Sequence, residues 1–205
     1  MFPFIYLASQ SPRRSQLLQQ LGIEHQLLLA DPEEDAEALE AVLPAEEPQA
    51  YVLRVTGLKL QAALVRLHQK QLPIAPILCA DTTVALDGVI YGKPANDADA
   101  LRMLRLLSGR THQVITAIAL GIGNQRHSAC CTSEVTFATV SDDDLRAYVA
   151  TAEPMGKAGA YAVQGRAAAY ISHIQGSYTG IMGLPLFETA HLLRSLNSTP
   201  CNKKF

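Results

Sequence analysis

The spacing of apolar residues changes along the chain, and each change marks an element. Ile5 to Ala8 is a short unbroken apolar run, read as a strand. Ser11 and Pro12 then open a helix, with Ser11 suited to the N-cap and Pro12 to the first helical position, where a missing N–H costs nothing. Leu17, Leu18 and Leu21 form its inward stripe, and Gly22 is the stop. Asp31 to Glu47 is acidic, broken by prolines and without periodicity, so it reads as a loop. Pro48 begins a longer helix with Tyr51, Val55, Leu58, Ala62 and Val65 at helical spacing. Gly57 in its middle costs about 1 kcal/mol relative to Ala, which predicts a packing reason for the small side chain.

The second half alternates between strand and helix patterns. Ile77 to Ala80 is a buried strand ending at Asp81. Thr83 to Leu86 and Val89 to Tyr91 read as a hairpin across the tight-turn dipeptide Asp87-Gly88. Asn96 caps a helix with Asp97 and Asp99 in its first turn, Leu101, Leu104 and Leu107 inward, and Gly109 closing it. His112 to Leu120 and Ala129 to Val140 are long strands joined through Gly121-Ile122-Gly123-Asn124. Ser141 starts a helix running through Val149, a Gly- and Ala-rich stretch spans Gly156 to Gly165, Tyr170 to Ile174 is a strand, and Pro185 to Leu196 is the last helix. The resulting fold class is α/β, a mixed β-sheet with flanking helices. No repeat or long linker divides the chain, so a single domain is expected over residues 1–197, followed by a flexible tail over 198–205.

Composition narrows the classes. The chain has 205 residues, 48% hydrophobic and 18% charged, enough to bury a core. Lys plus Arg number 17 and Asp plus Glu 19, a formal charge of -2, which argues against a dedicated nucleic-acid binder. The longest apolar run, Val114 to Ile122 broken by Thr116, falls short of the ~20 residues of a membrane span. The N-terminus lacks the basic region of a signal peptide, so a soluble, cytoplasmic protein is expected. Cys79 and Cys201 stand alone and Cys130-Cys131 are adjacent, which suits neither a zinc pair nor a disulfide framework.

Candidate chemistry is scattered. Arg13 and Arg14 sit in the first turn of a helix, where the dipole disfavours cations by roughly 0.3–1 kcal/mol each. Either they meet a phosphate at that helix start, or they face solvent and pair with Asp31 to Glu34. Asp81, after a buried strand, is a metal ligand, a base, or a turn-former with Thr82 and Thr83. Lys59, four residues after Val55, either snorkels outward or enters a polar cleft. Lys93 alone reads as a surface lysine. Lys157 lies in a Gly-flanked loop, where a backbone close to a ligand would explain Gly156 and Gly159. The histidines show no metal spacing, and no Walker A loop, Rossmann fingerprint, nucleophile elbow or H-E-x-x-H occurs.

Taken in order, these segments form a pattern. Leu7-Ala8-Ser9-Gln10-Ser11-Pro12-Arg13-Arg14, followed by Leu17-Leu18 and Leu21-Gly22, resembles the opening signature of the Maf family of nucleotide pyrophosphatases. The resemblance continues through Ala80-Asp81-Thr82, Gly92-Lys93-Pro94, Ser108-Gly109-Arg110-Thr111-His112 and Lys157-Ala158-Gly159-Ala160-Tyr161. It closes with Gln164-Gly165, Gly176-Ser177-Tyr178 and Gly183-Leu184-Pro185, and so covers nearly the whole chain.

The resemblance implies a two-lobed fold around a central cleft (Maf/ITPase-like) and an enzyme cutting a nucleoside triphosphate between its α- and β-phosphates. It further implies a divalent cation, Mg²⁺ with Mn²⁺ as the second choice, and a homodimer; that no nucleic acid or membrane is a partner follows instead from the charge balance and the short apolar runs. Asp81 matches the family's catalytic carboxylate, the proton acceptor, and the sequence leaves it as base, metal ligand or both. Glu34 matches the acidic loop position read as its metal partner, with Glu33 the register-shifted alternative. Ser9, Arg14, Lys59 and Lys93 match positions around the triphosphate. Arg13, Thr82 and Gln164 match positions that separate subfamilies, in a combination similar to the dTTP and UTP branch. Two departures stand out: Gly156 occupies a position commonly acidic in the family, and the helix bearing Lys59 is poorer in Ala. A non-enzymatic nucleotide-binding regulator of septum formation and cell division is the alternative.

Overall fold

A computed structural model describes residues 2–31, 34 and 38–198. Its centre is a seven-stranded mixed sheet in the order β2-β1-β3-β5-β6-β7, with β4 also pairing β3. The strands are β1 Ile5–Leu7, β2 His25–Leu27, β3 Ile77–Leu86, β4 Val89–Tyr91, β5 Thr111–Ile122, β6 Gln125–Phe137 and β7 Ile171–Gln175. The helices are α1 Pro12–Gln20, α2 Pro48–Gln69, α3 Asp97–Leu107, α4 Asp142–Val149, α5 Tyr178–Ile181 and α6 Leu186–Ser198. β1 runs parallel to β2 and β3, and the β4, β5, β6 and β7 pairings are antiparallel. The expected mixed α/β architecture is therefore the observed one. Glu33 and the tail beyond Ser198, with Cys201, lie outside the described residues. The described cysteines, Cys79, Cys130 and Cys131, are free thiols.

β3 organises the molecule. On one edge it pairs with β5 along most of its length. On the other, β1 reaches only Leu78, and β4 begins its pairing at Val84. Between those points no described strand occupies that edge. The pleat sends alternate residues to opposite faces. Ile77, Cys79 and Ala85 face α2, packing with Leu60, Ala63 and Val55. Leu78 and Ala80 pack with Leu17 of α1 and Leu192 of α6, whereas Val84 and Leu86 pack with Leu104 of α3 and Leu145 of α4. The second face is thus split into two cores, and the split falls at Thr82.

The local start and stop signals hold. Asn96 Oδ1 accepts from the Asp99 N–H and Ser141 Oγ from the Asp144 N–H. Asp87 and Gly88 take positive φ at the β3–β4 turn. Ser11 is the N-cap residue by position but makes no side-chain cap bond; its N–H donates to Ser9 Oγ instead.

Other expectations need correction. The strand predicted to stop before Asp81 runs on to Leu86. The polar triplet Asp81-Thr82-Thr83 resembles an end in sequence, yet its carboxylate and the Thr82 hydroxyl find partners on the two faces. The buried stripe of α2 is also rotated. Val65 is 55% exposed, whereas Val52, Thr56, Ala63 and Arg66 are buried. Apolar spacing missed this because Thr56 satisfies its hydroxyl on the Val52 carbonyl and Arg66 donates to the Leu28 carbonyl.

Gly57 shows no packing constraint: a methyl group added there would meet nothing within 4 Å. Gly57→Ala should therefore raise stability by about 1 kcal/mol, the helix-propensity difference. Urea denaturation checks this through a higher midpoint at unchanged slope. A lower midpoint would mean that the helix needs glycine for a reason other than space.

Candidate active site

The unpaired edge of β3 opens onto a cleft of about 1180 Å³. Every expected site residue among those described lines it: Ser9, Arg13, Arg14, Glu34, Lys59, Asp81, Thr82, Lys93 and Gln164. They arrive from different elements. Asp81 and Thr82 come from β3, Ser9 and the arginines from the β1–α1 turn and first helical turn, and Lys59 from α2.

One wall is a chain of alternating charges. Asp81, 7% exposed, points to the α2 face of the sheet. Lys59 reaches it from α2, its Nζ 2.6 Å from Asp81 Oδ1 and 2.7 Å from Glu40 Oε1. Lys93 closes the chain on Glu40 Oε2 at 2.9 Å. Burial works against ionisation of Glu40, but the Lys59 and Lys93 ammonium groups outweigh it and hold its carboxyl below the ordinary range. The Tyr51 hydroxyl donates to the Glu40 carbonyl, tying this short 3₁₀ turn to α2.

The opposite wall carries cations without carboxylates. Arg14 donates to the Gly183 carbonyl at 2.8 Å, Ser9 Oγ at 3.0 Å and Thr82 Oγ1 at 3.4 Å. None of these partners is charged, so burial lowers its pKa, with the field of Asp81 acting against that. Arg13 donates to the Met182 carbonyl. Lys157 holds the carbonyls of Glu153 and Met155, and its pKa is lowered by burial and then by Arg13. A half-buried guanidinium bonded only to neutral groups among the described residues suits an anion, the more so beside the free N–H groups of a helix start. Neither arginine pairs with Asp31 or Glu34, which meet Lys70 and Arg66 instead.

Two placements differ from expectation. Glu34 accepts from Arg66 Nε at 2.7 Å and Nη2 at 2.5 Å, and from the Asp31 N–H, so it docks the loop onto α2 at the cleft margin. The carboxylate beside Lys59 and Asp81 is Glu40, which the sequence reading missed. Gly159 is small for packing rather than for a ligand: its φ is +67°, and a methyl group there would lie 2.8 Å from Val84 Cγ2. Gln164 stands exposed at the rim and makes no side-chain hydrogen bond among the described residues. Thr82 does not orient it, because Thr82 Oγ1 is engaged with Thr116 Oγ1 at 2.8 Å and with Arg14.

The donor set fits a divalent cation in one particular way. No group of three or more His, Cys, Asp or Glu side chains converges among the described residues. Asp81 and Glu40 do converge, on one ammonium. Thr83, two residues beyond Asp81, has a buried hydroxyl with no partner among the described residues. A hard cation such as Mg²⁺ is usually held by one or two carboxylates plus substrate phosphates, and Asp81 with Glu40 meets that pattern.

A strand-borne carboxylate facing a cation-lined cleft defines a site for a phosphorylated ligand. The chain belongs to the Maf family: the family's "Maf-like protein" model matches residues 4–196. A dTTP/UTP pyrophosphatase of Albidiferax ferrireducens is 65% identical over 195 residues, spanning 95% of this chain and 98% of the relative. Relatives of the same name from Polaromonas sp. and Burkholderia pseudomallei are 64% and 59% identical, spanning 94% and 95% of this chain and 95% and 94% of their own. A solved nucleoside-triphosphatase / dITP/XTP pyrophosphatase from Mycobacterium abscessus aligns over 96% of this chain and 99% of its own at 14% identity and a TM-score of 0.42. No described helix is long and apolar enough to cross a membrane.

The Glu34–Arg66 pair has a pH signature. The Arg66 fork holds the Glu34 carboxyl down from 4.5 to about 2. A depressed carboxyl stabilises the fold in full above its unfolded value and loses that contribution as pH falls through its folded value. The difference in thermal midpoint between wild type and Glu34→Gln should therefore be constant near neutrality, shrink below 4.5 and vanish near 2. Partial exposure keeps the effect small. A difference that ignores pH would assign it to something other than the ion pair.

Proposed function

We propose that this protein hydrolyses nucleoside triphosphates, dTTP and UTP in preference, to the monophosphate and pyrophosphate. The observation that carries the reading is Arg14, a half-buried cation with no carboxylate partner among the described residues, lining the same cleft as Asp81. The relatives named dTTP/UTP pyrophosphatase support the same reaction and substrates.

The triphosphate displaces nothing on the arginine wall, since Arg13, Arg14 and Lys157 are held by neutral groups and keep charge to spare. Lys59 and Lys93 supply the remaining counter-charge from the other wall. Asp81 orients a water toward the α-phosphorus and takes its proton as the new P–O bond forms. The bond between the α-phosphorus and the bridging oxygen breaks, and pyrophosphate leaves with the electron pair. Lys59, touching Asp81 and Glu40 together, keeps both carboxylates aimed into the cleft. Asp81 and Glu40 would hold a divalent cation, which would supply charge neutralisation and polarisation at the phosphates. Glu40, not Glu34, is its loop ligand in this reading, because Arg66 already holds Glu34. A regulator that only binds nucleotide would need the cation wall but not the Asp81–Lys59–Glu40 arrangement.

Base choice rests on Gln164, whose amide offers one donor and one acceptor, as the O4 and N3–H of uracil and thymine require. Cytosine reverses that pattern. With the amide held in one orientation and covered by the bound base, each mispaired group that is thereby buried costs about 1–3 kcal/mol. The test is a panel of nucleoside triphosphates with Mg²⁺ and with Mn²⁺, scored by pyrophosphate release. UTP and dTTP should lead, with CTP and purine nucleotides poorer by roughly tenfold or more. Asp81→Asn should lower kcat by at least ~100-fold, the scale of a lost base. Glu40→Gln should cost at least ~10-fold and Glu34→Gln under ~3-fold, if metal-assisted charge stabilisation runs through Glu40. Near-normal turnover in Asp81→Asn would remove that residue from the chemistry, and the reverse order for the two glutamates would restore Glu34.

A further inference from the structure

The base-reading side of the cleft is carried by an irregular segment, not by the sheet. It runs from Glu153 to Arg166, and its regular structure is one 3₁₀ turn at Ala158–Ala160. Gln164 has no side-chain bond of its own, yet the reading above requires its amide to be held in register with the base. The support lies one residue away.

Glu153 is the hub. Its Oε1 accepts from the Tyr148 hydroxyl at 2.9 Å, and Tyr148 is buried at 2% exposure in the core beneath α4. Its Oε2 accepts from the Arg166 N–H at 3.1 Å. The carboxylate therefore spans from the core to the backbone just after Gln164-Gly165. It also lies flat on Gly165, where a methyl group would stand 2.1 Å from Oε1 and 2.5 Å from Cδ. Real carbon–oxygen contacts do not come that close, so glycine is the residue that lets the carboxylate seat there. The Glu153 carbonyl, in turn, accepts from Lys157 Nζ, a cation of the phosphate-binding wall. One residue thus fixes both the backbone that presents Gln164 and the lysine beside Arg13.

We infer that Glu153 is a positioning residue for substrate selection: through Tyr148, the Arg166 N–H and Gly165 it sets the wall that reads the base. This deepens the pyrophosphatase reading and rests on it. Glu153 touches no reacting atom, so its loss should act on binding and selectivity rather than on the chemical step.

The experiment compares wild type, Glu153→Ala, Glu153→Gln, Gly165→Ala and the double variant Glu153→Ala/Gly165→Ala. Each is assayed for kcat and KM with UTP and CTP, and for the Kd of a UTP analogue with an imido bridge between its α- and β-phosphates. Thermal midpoints identify the folded variants. Glu153→Ala should raise KM and Kd for the uridine ligand about tenfold with kcat within ~3-fold, and bring the UTP-to-CTP ratio of kcat/KM near one. Glu153→Gln should restore most of the loss, because its carbonyl oxygen can face the Arg166 N–H while its amide faces the Tyr148 oxygen. Gly165→Ala alone should reproduce the defect, yet add little to Glu153→Ala, where the group it would strike is gone.

Folded Glu153→Ala with wild-type KM, Kd and UTP-to-CTP ratio overturns the inference. Additive losses in the double variant, or equal losses for Ala and Gln, also overturn it, because neither follows from seating this carboxylate on Gly165. Should Glu153→Ala not fold, Gly165→Ala and Glu153→Gln decide the matter on the same readouts. Failure of the underlying reading looks different. Wild type without UTP preference refutes the base assignment, and wild type that binds the analogue without releasing pyrophosphate from UTP refutes the activity. In either case, the analogue's Kd still tests Glu153.

Discussion

The middle of β3 has a strand neighbour on only one side, and the site depends on that asymmetry. Had β1 extended past Leu78, or β4 begun before Val84, the edge beside Asp81 and Thr82 would be covered by another strand. The pairing with β5 on the far edge keeps β3 straight and extended through the gap, so the strand does not need a bulge to expose these residues. Alternation then gives the two neighbours different roles. Asp81 meets Lys59 on the face covered by α2, and Thr82 meets Arg14 and Thr116 on the face covered by α1 and α5. The carboxylate read here as chemical and the anchor of the arginine read here as phosphate-binding are thereby placed back to back on one backbone.

Charge on the two walls follows different rules. The Asp81–Lys59–Glu40–Lys93 chain is internally compensated, which lets two carboxylates sit close together in a partly dehydrated cleft. Removing either partner of such a pair leaves a stranded charge, a larger cost than the pair itself is worth. The arginine wall is not compensated. Arg14 gives up part of its hydration for carbonyl and hydroxyl partners alone, a cost that an arriving phosphate repays. The chain as a whole is weakly acidic, so its affinity for a polyanion is a property of this wall and not of net charge.

Much of the scaffold was legible because it depends on local signals. Asn96 and Ser141 cap as their sequences say, and Asp87-Gly88 turns where it should. The ordered run of motifs brought the expected residues to one cleft. What escaped has a common cause in long-range partners. Nothing local distinguishes Glu34 from Glu40 in an acidic stretch without periodicity. The choice is made by α2, where Arg66 takes Glu34 and Lys59, two helical turns earlier, takes Glu40. The same contacts explain why the α2 stripe was misread, since Arg66 is buried as part of the loop's anchor rather than as an apolar residue. Asp81 was placed at a strand end because an unpartnered carboxylate cannot lie within a buried strand, and its partner, Lys59, lies on a different element. Glu153 gave no signal at all, because its role is defined by Gly165 and the Arg166 backbone across a turn.

The division of labour between rigid and irregular structure bears on how selectivity can vary within such a fold. The groups read here as chemical sit on β3 and α2, elements held by sheet pairing and by two buried apolar clusters between them. The group read as base-selective is exposed on a loop held by the buried side chains of Tyr161 and Val163 and, on the far side of Gln164, by the bonds of Glu153 to Tyr148 and the Arg166 N–H. Those bonds lie away from Asp81 and Lys59, although the walls are not independent: β3 carries Asp81 on one face and Thr82, the anchor of Arg14, on the other, and Gly159 packs on Val84 of the same strand. Substitutions around Glu153 therefore reach the loop that carries Gln164 by contacts separate from the Asp81–Lys59 pair, and Gly156, at positive φ with open space around it, lies on that same loop.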